Sequence, residues 1–291
     1  IRLREARLMM GLSMDKLVER TNGAITKQSI SRYEKGIMRP KRDALQAIAK
    51  ALNISEAYFE GINLKIDVPM LRTTSNGKLS EDELQALEAK LSFWAEQYLA
   101  KEKEAGFPTQ FKNPLKGTKI STLEDAIQAS CLLREKWHCG DGPIASILRL
   151  LERKGIMILA ATLPNYVFGM STWADKKHPL MILDFNPEKS CVEKLRFTAA
   201  HELAHLLLLF PEDSPLKLEK RCDLFASFFL LPKLTLIEEL GSKKREKITL
   251  EEMIDIKELY GTSLAASIIA ARDYGIITTE YKRAWYAEHI E

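Results

Sequence analysis

The 291 residues predict an α+β chain that is mostly helical. Three observations carry this. The first 60 residues are short helical segments punctuated by glycines. Residues 156–185 hold short apolar runs, "IMILAA", "YVFGMSTWA" and "PLMILDF", that read as strands of a small sheet. A long apolar stretch, "RFTAAHELAHLLLLF", and three further helical patterns fill the rest. Hydrophobic residues make up 46% of the chain, enough for real cores, and no run of 18 apolar residues suggests a membrane span. Four cysteines without a C-x-x-C pair, and no signal-peptide core at the start, predict a cytoplasmic chain with reduced thiols.

Charge is uneven along the chain. Residues 1–62 carry 12 Lys/Arg against 7 Asp/Glu, a balance of +5, whereas the remainder carries 31 against 33. A polyanion partner is therefore expected at the N-terminal end alone. There the elements follow in order. "IRLREARLMM" is amphipathic and ends at Gly11. "SMDKLVER" opens with Ser13 as N-cap, "TNGAI" turns at Gly23, and "TKQSISRYEKG" runs from the cap Thr26 to Gly36. "RPKRDALQAIAKAL" and "SEAYF" complete five helices. Two helices of this length joined by a Gly-containing turn form the helix-turn-helix layout.

"TKQSISRYEKGIMRP" resembles the Xre/Cro-type repressor domain through its T-x-Q-x-I-S-x-Y/W-E-x-G-x-x-x-P form. That resemblance implies a recognition helix over residues 26–34, with Ile30 buried. It aims Lys27, Gln28 and Arg32 at base edges of a double-stranded DNA operator, and sets Lys16, Arg39, Lys41 and Arg42 against phosphates. A dimer on a two-fold site is expected. The domain is placed at 1–67.

Residues 68–120 read as a linker containing an amphipathic helix over 80–105, capped by Ser80 with Glu83 three positions on. Leu84, Leu87, Leu91, Trp94 and Tyr98 recur at intervals of three and four. The stripe suits either a helix packed on its own domain or a short dimer contact.

The body, 121–235, begins with helices "STLEDAIQASCLLREKW" and "GPIASILRLLERKG". Strands follow at "IMILAA", "YVFGMSTWA" and "PLMILDF". A long helix starts near Cys191, and another spans about Leu216 to Leu231, stopping at "LP". Residues 236–291 form a C-terminal helical subdomain built from "TLEEMIDIKELYG", "SLAASIIAARDYG" and "TTEYKRAWYAEH".

Within the long helix, His201, Glu202 and His205 spell H-E-x-x-H. Residues four apart share a helix face, so both imidazoles can hold one metal, while Glu202 sits one position round, beside the water to be activated. The apolar flanks bury the helix and make the pair rigid. A third ligand is needed. Glu212 and Asp213 lie in a loop, and Glu219 lies on the next helix with Asp223 one turn further. Glu219 is taken as the ligand, and Asp223 as the carboxylate behind a ligand histidine. Cys222 reads as a small buried residue. For an oxyanion, His178 and Tyr166 are candidates on position alone. Two nitrogens and one oxygen suit a single zinc ion per chain, or manganese.

"LRFTAAHELAHLLL" followed by "EKRCDLFASFFLLP" resembles the ImmA/IrrE metallopeptidases, a zincin-like fold of the thermolysin type. The flanks "PIASILRLLERKGIMIL" and "GTSLAASIIAARDYGIITTEYKRAW" are similar as well. The resemblance implies a mobile-element or stress regulator that couples DNA binding to cleavage of a repressor or antitoxin. It also departs from the family pattern. Members commonly read E-x-E-A-N where this chain has E-K-R-C-D, with Arg221 in place of the second glutamate. The retained first glutamate is Glu219. The alternative is a regulator whose metalloprotease-like domain senses or scaffolds without cleaving.

Overall fold

The structure, a computed structural model, describes residues 2–59, 64–66, 81–106, 110–163, 167–188, 191–211 and 214–290. Two compact units emerge. The first comprises Ile1–Thr109 with Thr172–His178, and the second Gln110–Ser171 with Pro179–Glu291. Among the described residues there are 13 α-helices and a three-stranded sheet. None of these helices is long and apolar enough to cross a membrane.

In the first unit, α1 (Leu3–Met9), α2 (Met14–Arg20), α3 (Lys27–Glu34) and α4 (Arg42–Leu52) are followed by a 3₁₀ turn at Glu56–Phe59. Ser13 and Thr26 are the N-caps expected: their side chains accept from the Lys16 and Ser29 backbone N–H groups. Leu3, Leu17, Ile30, Ile48 and Leu52 meet in a fully buried core. Gly36 takes φ +70 just past the C-cap Lys35, where a side chain would be strained, and α3 stops there. The last short helix expected from "SEAYF" is the 3₁₀ turn.

Helix α5 (Glu81–Glu104) packs on α1 within this unit, adding Ala89 and Phe93 to the core. Phe93 meets Tyr58 edge-on at 5.3 Å, and the Arg2 guanidinium lies 2.6 Å from Glu96 and 4.0 Å above the Tyr58 ring. Leu84 and Leu91 are buried, whereas Trp94 and Tyr98 stack on one another at 5.2 Å. The cap Ser80 lies outside the described residues.

The elements after α5 are α6 (Leu123–Trp137), α7 (Ile147–Arg153), β1 (Met157–Ala161), β2 (Gly169–Ala174) and β3 (His178–Asp184), all in the second unit except Thr172–Ala174 of β2 and His178 of β3. The second unit continues with α8 (Val192–Leu207), α9 (Pro215–Leu230), α10 (Lys233–Glu239), α11 (Leu250–Tyr260), α12 (Leu264–Asp273) and α13 (Thr279–His289). The strand order is β1-β3-β2, with β1 parallel to β3 from Met157↔Leu180 to Ala161↔Asp184. Central β3 is buried along nearly its whole length, which explains why "PLMILD" lacks alternation. Asp175 and Lys176, both at positive φ, turn β2 into β3. Helix α9 packs mainly on α6 and α8, and Phe225 and Phe229 stack in its C-terminal half, 5.9 Å apart. Helix α9 ends at Leu230, before Pro232, as "LP" predicts, and Pro232 serves also as the N-cap of α10, which the sequence reading did not anticipate.

Helix α8 is tied to α11 by an ion pair, Glu193 Oε1 to Lys257 Nζ at 2.7 Å. That hydrogen bond, with the Glu193 backbone N–H, lowers the Glu193 carboxyl to about 2 from 4.5. Its stabilisation is complete above pH 4.5 and is lost as pH falls toward 2. Glu193→Gln should melt below the parent at pH 6, and the two should converge at pH 2–3. Parallel melting curves at every pH would remove the pair as a stabilising contact.

Candidate functional site

Helix α8 is built to be held still. Ala199, Ala200, Leu203 and Ala204 are buried, and the alanines allow close packing. His201 and His205 project together toward α9, with side chains 15% and 14% exposed. Glu202, one residue round, is 5% exposed and accepts a hydrogen bond at Oε2 from the Ser171 hydroxyl of β2, 2.7 Å away. Gly169 permits that approach. A Cβ there would stand 2.5 Å from Thr198 Cγ2 and 3.4 Å from Glu202 Cγ. Neither Ser171 nor Gly169 carries a sequence signal, since only the fold brings β2 onto α8.

Helix α9 begins at Pro215, after Ser214. It presents Glu219, Cys222 and Asp223, three and four positions apart and hence on one face, to the histidines. Glu219 Oε2 lies 3.0 Å from His201 Nε2, and Oε1 lies 3.7 Å from His205 Nε2. The two Nε2 atoms are 3.2 Å apart. Behind the first histidine, Asp223 Oδ1 is 2.9 Å from His201 Nδ1. Behind the second, Cys222 Sγ is 3.8 Å from His205 Nδ1. Arg221 points elsewhere: its Nη2 donates to the Ser121 carbonyl at 2.6 Å, so the residue standing where the family has a second glutamate does not enter this cluster.

The donor set can be tested against a metal by distance alone. Ligand atoms at 2.0–2.1 Å from a tetrahedral zinc are separated by about 3.3–3.4 Å. The two Nε2 atoms, 3.2 Å apart, lie close to that spacing, and the Glu219 carboxylate reaches His201 through Oε2 at 3.0 Å and His205 through Oε1 at 3.7 Å. His201, His205 and Cys222 also place donor atoms within 4.8 Å of one another. The thiol lies 3.8 Å from His205 Nδ1, whereas the Glu219 carboxylate faces Nε2 of both rings.

Electrostatics agree with a tight cluster. Hydrogen bonds from His201 and then His205 hold the Glu219 carboxyl down to about 2. Burial works against charge on His201, but hydrogen bonds to Asp223 and Glu219 outweigh it and raise that imidazole to about 10. Burial pushes the Cys222 thiol well above its usual range. A cleft of about 780 Å³ between α6, α8, α9 and α12 has Asp223 and Phe197 in its wall. His201, His205, Glu202 and Glu219 are not among its lining residues, so this cavity is not where the reactive groups converge. His178 begins β3; Tyr166, Glu212 and Asp213 lie outside the described residues.

In the first unit, Gln28 and Arg32 lie on the face of α3 opposite buried Ile30 and Tyr33, and both are exposed. Lys35, which sequence reasoning passed over, extends that exposed face; its signal was the spacing of three beyond Arg32. Lys27 sits to one side and pairs with Asp15 of α2 at 2.8 Å, both side chains well exposed. Lys16, Arg39, Lys41 and Arg42 are exposed as well, the last two at the start of α4.

Residues 3–59 match the helix-turn-helix family model. The match covers α1 to the 3₁₀ turn, including the exposed face of α3, and supports a DNA-binding regulator. No curated protein matches the chain.

Proposed function

We propose that this DNA-binding regulator carries a zinc-dependent endopeptidase site whose substrate is a repressor or antitoxin. The observation that carries the reading is that His201 Nε2 and His205 Nε2 lie 3.2 Å apart and both face the Glu219 carboxylate, whose Oε2 and Oε1 stand 3.0 and 3.7 Å from them. Those three residues would hold the zinc, or a manganese in its place. When bound, the metal supplies a Lewis acid that polarises a peptide carbonyl and acidifies water. Asp223 accepts from His201 Nδ1 and fixes that ring's orientation. Glu202, held at one oxygen by Ser171, takes the proton of the attacking water and delivers it to the leaving amine. An extended substrate segment can pair with the start of β2, which carries Ser171 beside Glu202; the far end of that edge, at Ala174, is taken by a bridge to Ile66.

The test is elemental analysis of gently purified protein. About one metal per chain is expected, lost in His201→Ala and His205→Ala; equal metal in parent and variants would overturn the site. Incubating the metal-loaded protein with repressors encoded beside it then tests cleavage.

On the DNA side, the reading is a dimer on a two-fold operator, with α3 in the major groove. Arg32→Ala should weaken operator binding by about 1–3 kcal/mol and relax sequence preference. Lys41→Ala should weaken all sequences alike and flatten the salt dependence. An unchanged operator preference in the Arg32 variant would remove its base contact.

A further inference from the structure

The proposed function leaves Cys222 without a task, although the residue is fully buried within the cluster. A histidine that binds a metal through one ring nitrogen carries its proton on the other, and that buried N–H requires an acceptor. For His201 the acceptor is the Asp223 carboxylate, 2.9 Å from Nδ1. At His205 Nδ1 the corresponding atom is Cys222 Sγ, at 3.8 Å, within reach of an N–H···S hydrogen bond. One helix, α9, therefore supplies a ligand, Glu219, and through the consecutive residues Cys222 and Asp223 the acceptors behind both histidines.

We propose that Cys222 is a positioning residue for His205: its sulfur accepts the Nδ1–H and keeps Nε2 directed at the point shared with His201 and Glu219. This rests on the metal-binding reading above and adds a consequence to it. The two histidines are held unequally, His201 by a charged oxygen and His205 by a neutral, weaker sulfur acceptor. Metal affinity then depends on whether position 222 can accept a hydrogen bond, not on how well it fills space.

The experiment measures Zn²⁺ affinity of the full chain by competition with a chromophoric chelator, for the parent and for Cys222→Ser, Cys222→Val and Cys222→Ala. Ser retains an acceptor and should stay close to the parent. Val and Ala lack one, and each should bind about 10-fold more weakly, the low end of what loss of such partners costs. A packing role gives the reverse order, with apolar Val tolerated and buried Ser impaired, and that order overturns the proposal. Equal affinity in all four proteins overturns it too. Melting of the metal-free proteins identifies any variant that fails to fold, and Ala, which adds no bulk, then decides in place of Val. The Co²⁺-loaded parent should lack a thiolate-to-cobalt charge-transfer band. A band present in the parent and absent from Cys222→Ser would make the sulfur a direct ligand and overturn the positioning role. A parent that takes up neither ion overturns the metal reading itself, an outcome distinct from all of these.

Discussion

Glu202→Gln should keep its fold and its metal and yet cleave substrate about 10²–10⁴-fold more slowly, the range that general-base catalysis supplies. The substitution is isosteric. Its amide oxygen can still accept from the Ser171 hydroxyl, the contact that fixes Oε2 at 2.7 Å in the parent. The amide cannot accept the proton of the attacking water. Loss of the 5%-exposed carboxylate from the apolar interior of α8 should cost little stability, because Ser171 remains paired. The measurement is mass spectrometry of a neighbouring repressor after incubation with metal-loaded parent and variant. Equal cleavage by the two would end the general-base role. Cleavage by neither, under the inducing stress, would favour the regulator that senses or scaffolds without cutting.

What the sequence revealed was what local rules control. Ser13 and Thr26 announce helix starts because an N-cap acts within three residues of itself. The spacing of His201 and His205, and of Glu219 and Asp223, places each pair on one helix face whatever the tertiary structure. Contacts made between elements were not legible. Ser171 reaches Glu202 only because Gly169 lets β2 lie against α8. Cys222 acquires its proposed role only from where His205 points its Nδ1. The stripe on α5 was ambiguous for a related reason: periodicity records that a face is buried but not what buries it. The structure lays part of that helix on α1, through Ala89 and Phe93. Arg221 looked damaging as a letter in the third-ligand segment, yet its Nη2 donates to the Ser121 carbonyl just before α6, away from the cluster.

The glutamate of "RYEKG" shows the same limit in the N-terminal unit, and there the expected effect is large. From sequence, Glu34 is a charged residue at the end of a recognition helix. In the fold its carboxylate is 5% exposed and receives two hydrogen bonds from Arg7 of α1, Nε to Oε1 at 2.7 Å and Nη2 to Oε2 at 3.0 Å. The remaining guanidinium nitrogen, Nη1, donates to the Leu12 carbonyl at 2.7 Å, at the turn into α2. One buried fork thus ties α1 to α3 and to the turn between α1 and α2. Removing a single partner from such a pair strands a charge in the interior, at a cost of about 3–5 kcal/mol. That is a large share of the 5–15 kcal/mol that typically holds a domain together. Glu34→Ala and Arg7→Ala should each lower the melting temperature of the N-terminal unit and abolish binding to operator and random DNA alike, unlike Arg32→Ala, which acts on preference. The double variant Arg7→Met/Glu34→Leu separates charge from packing. With both charges gone and apolar volume in their place, stability should return to near the parent value. Circular dichroism melting of the full chain and DNA titrations follow both effects. A Glu34→Ala protein that melts with the parent and binds operator normally would show that the pair does not hold the recognition helix in place.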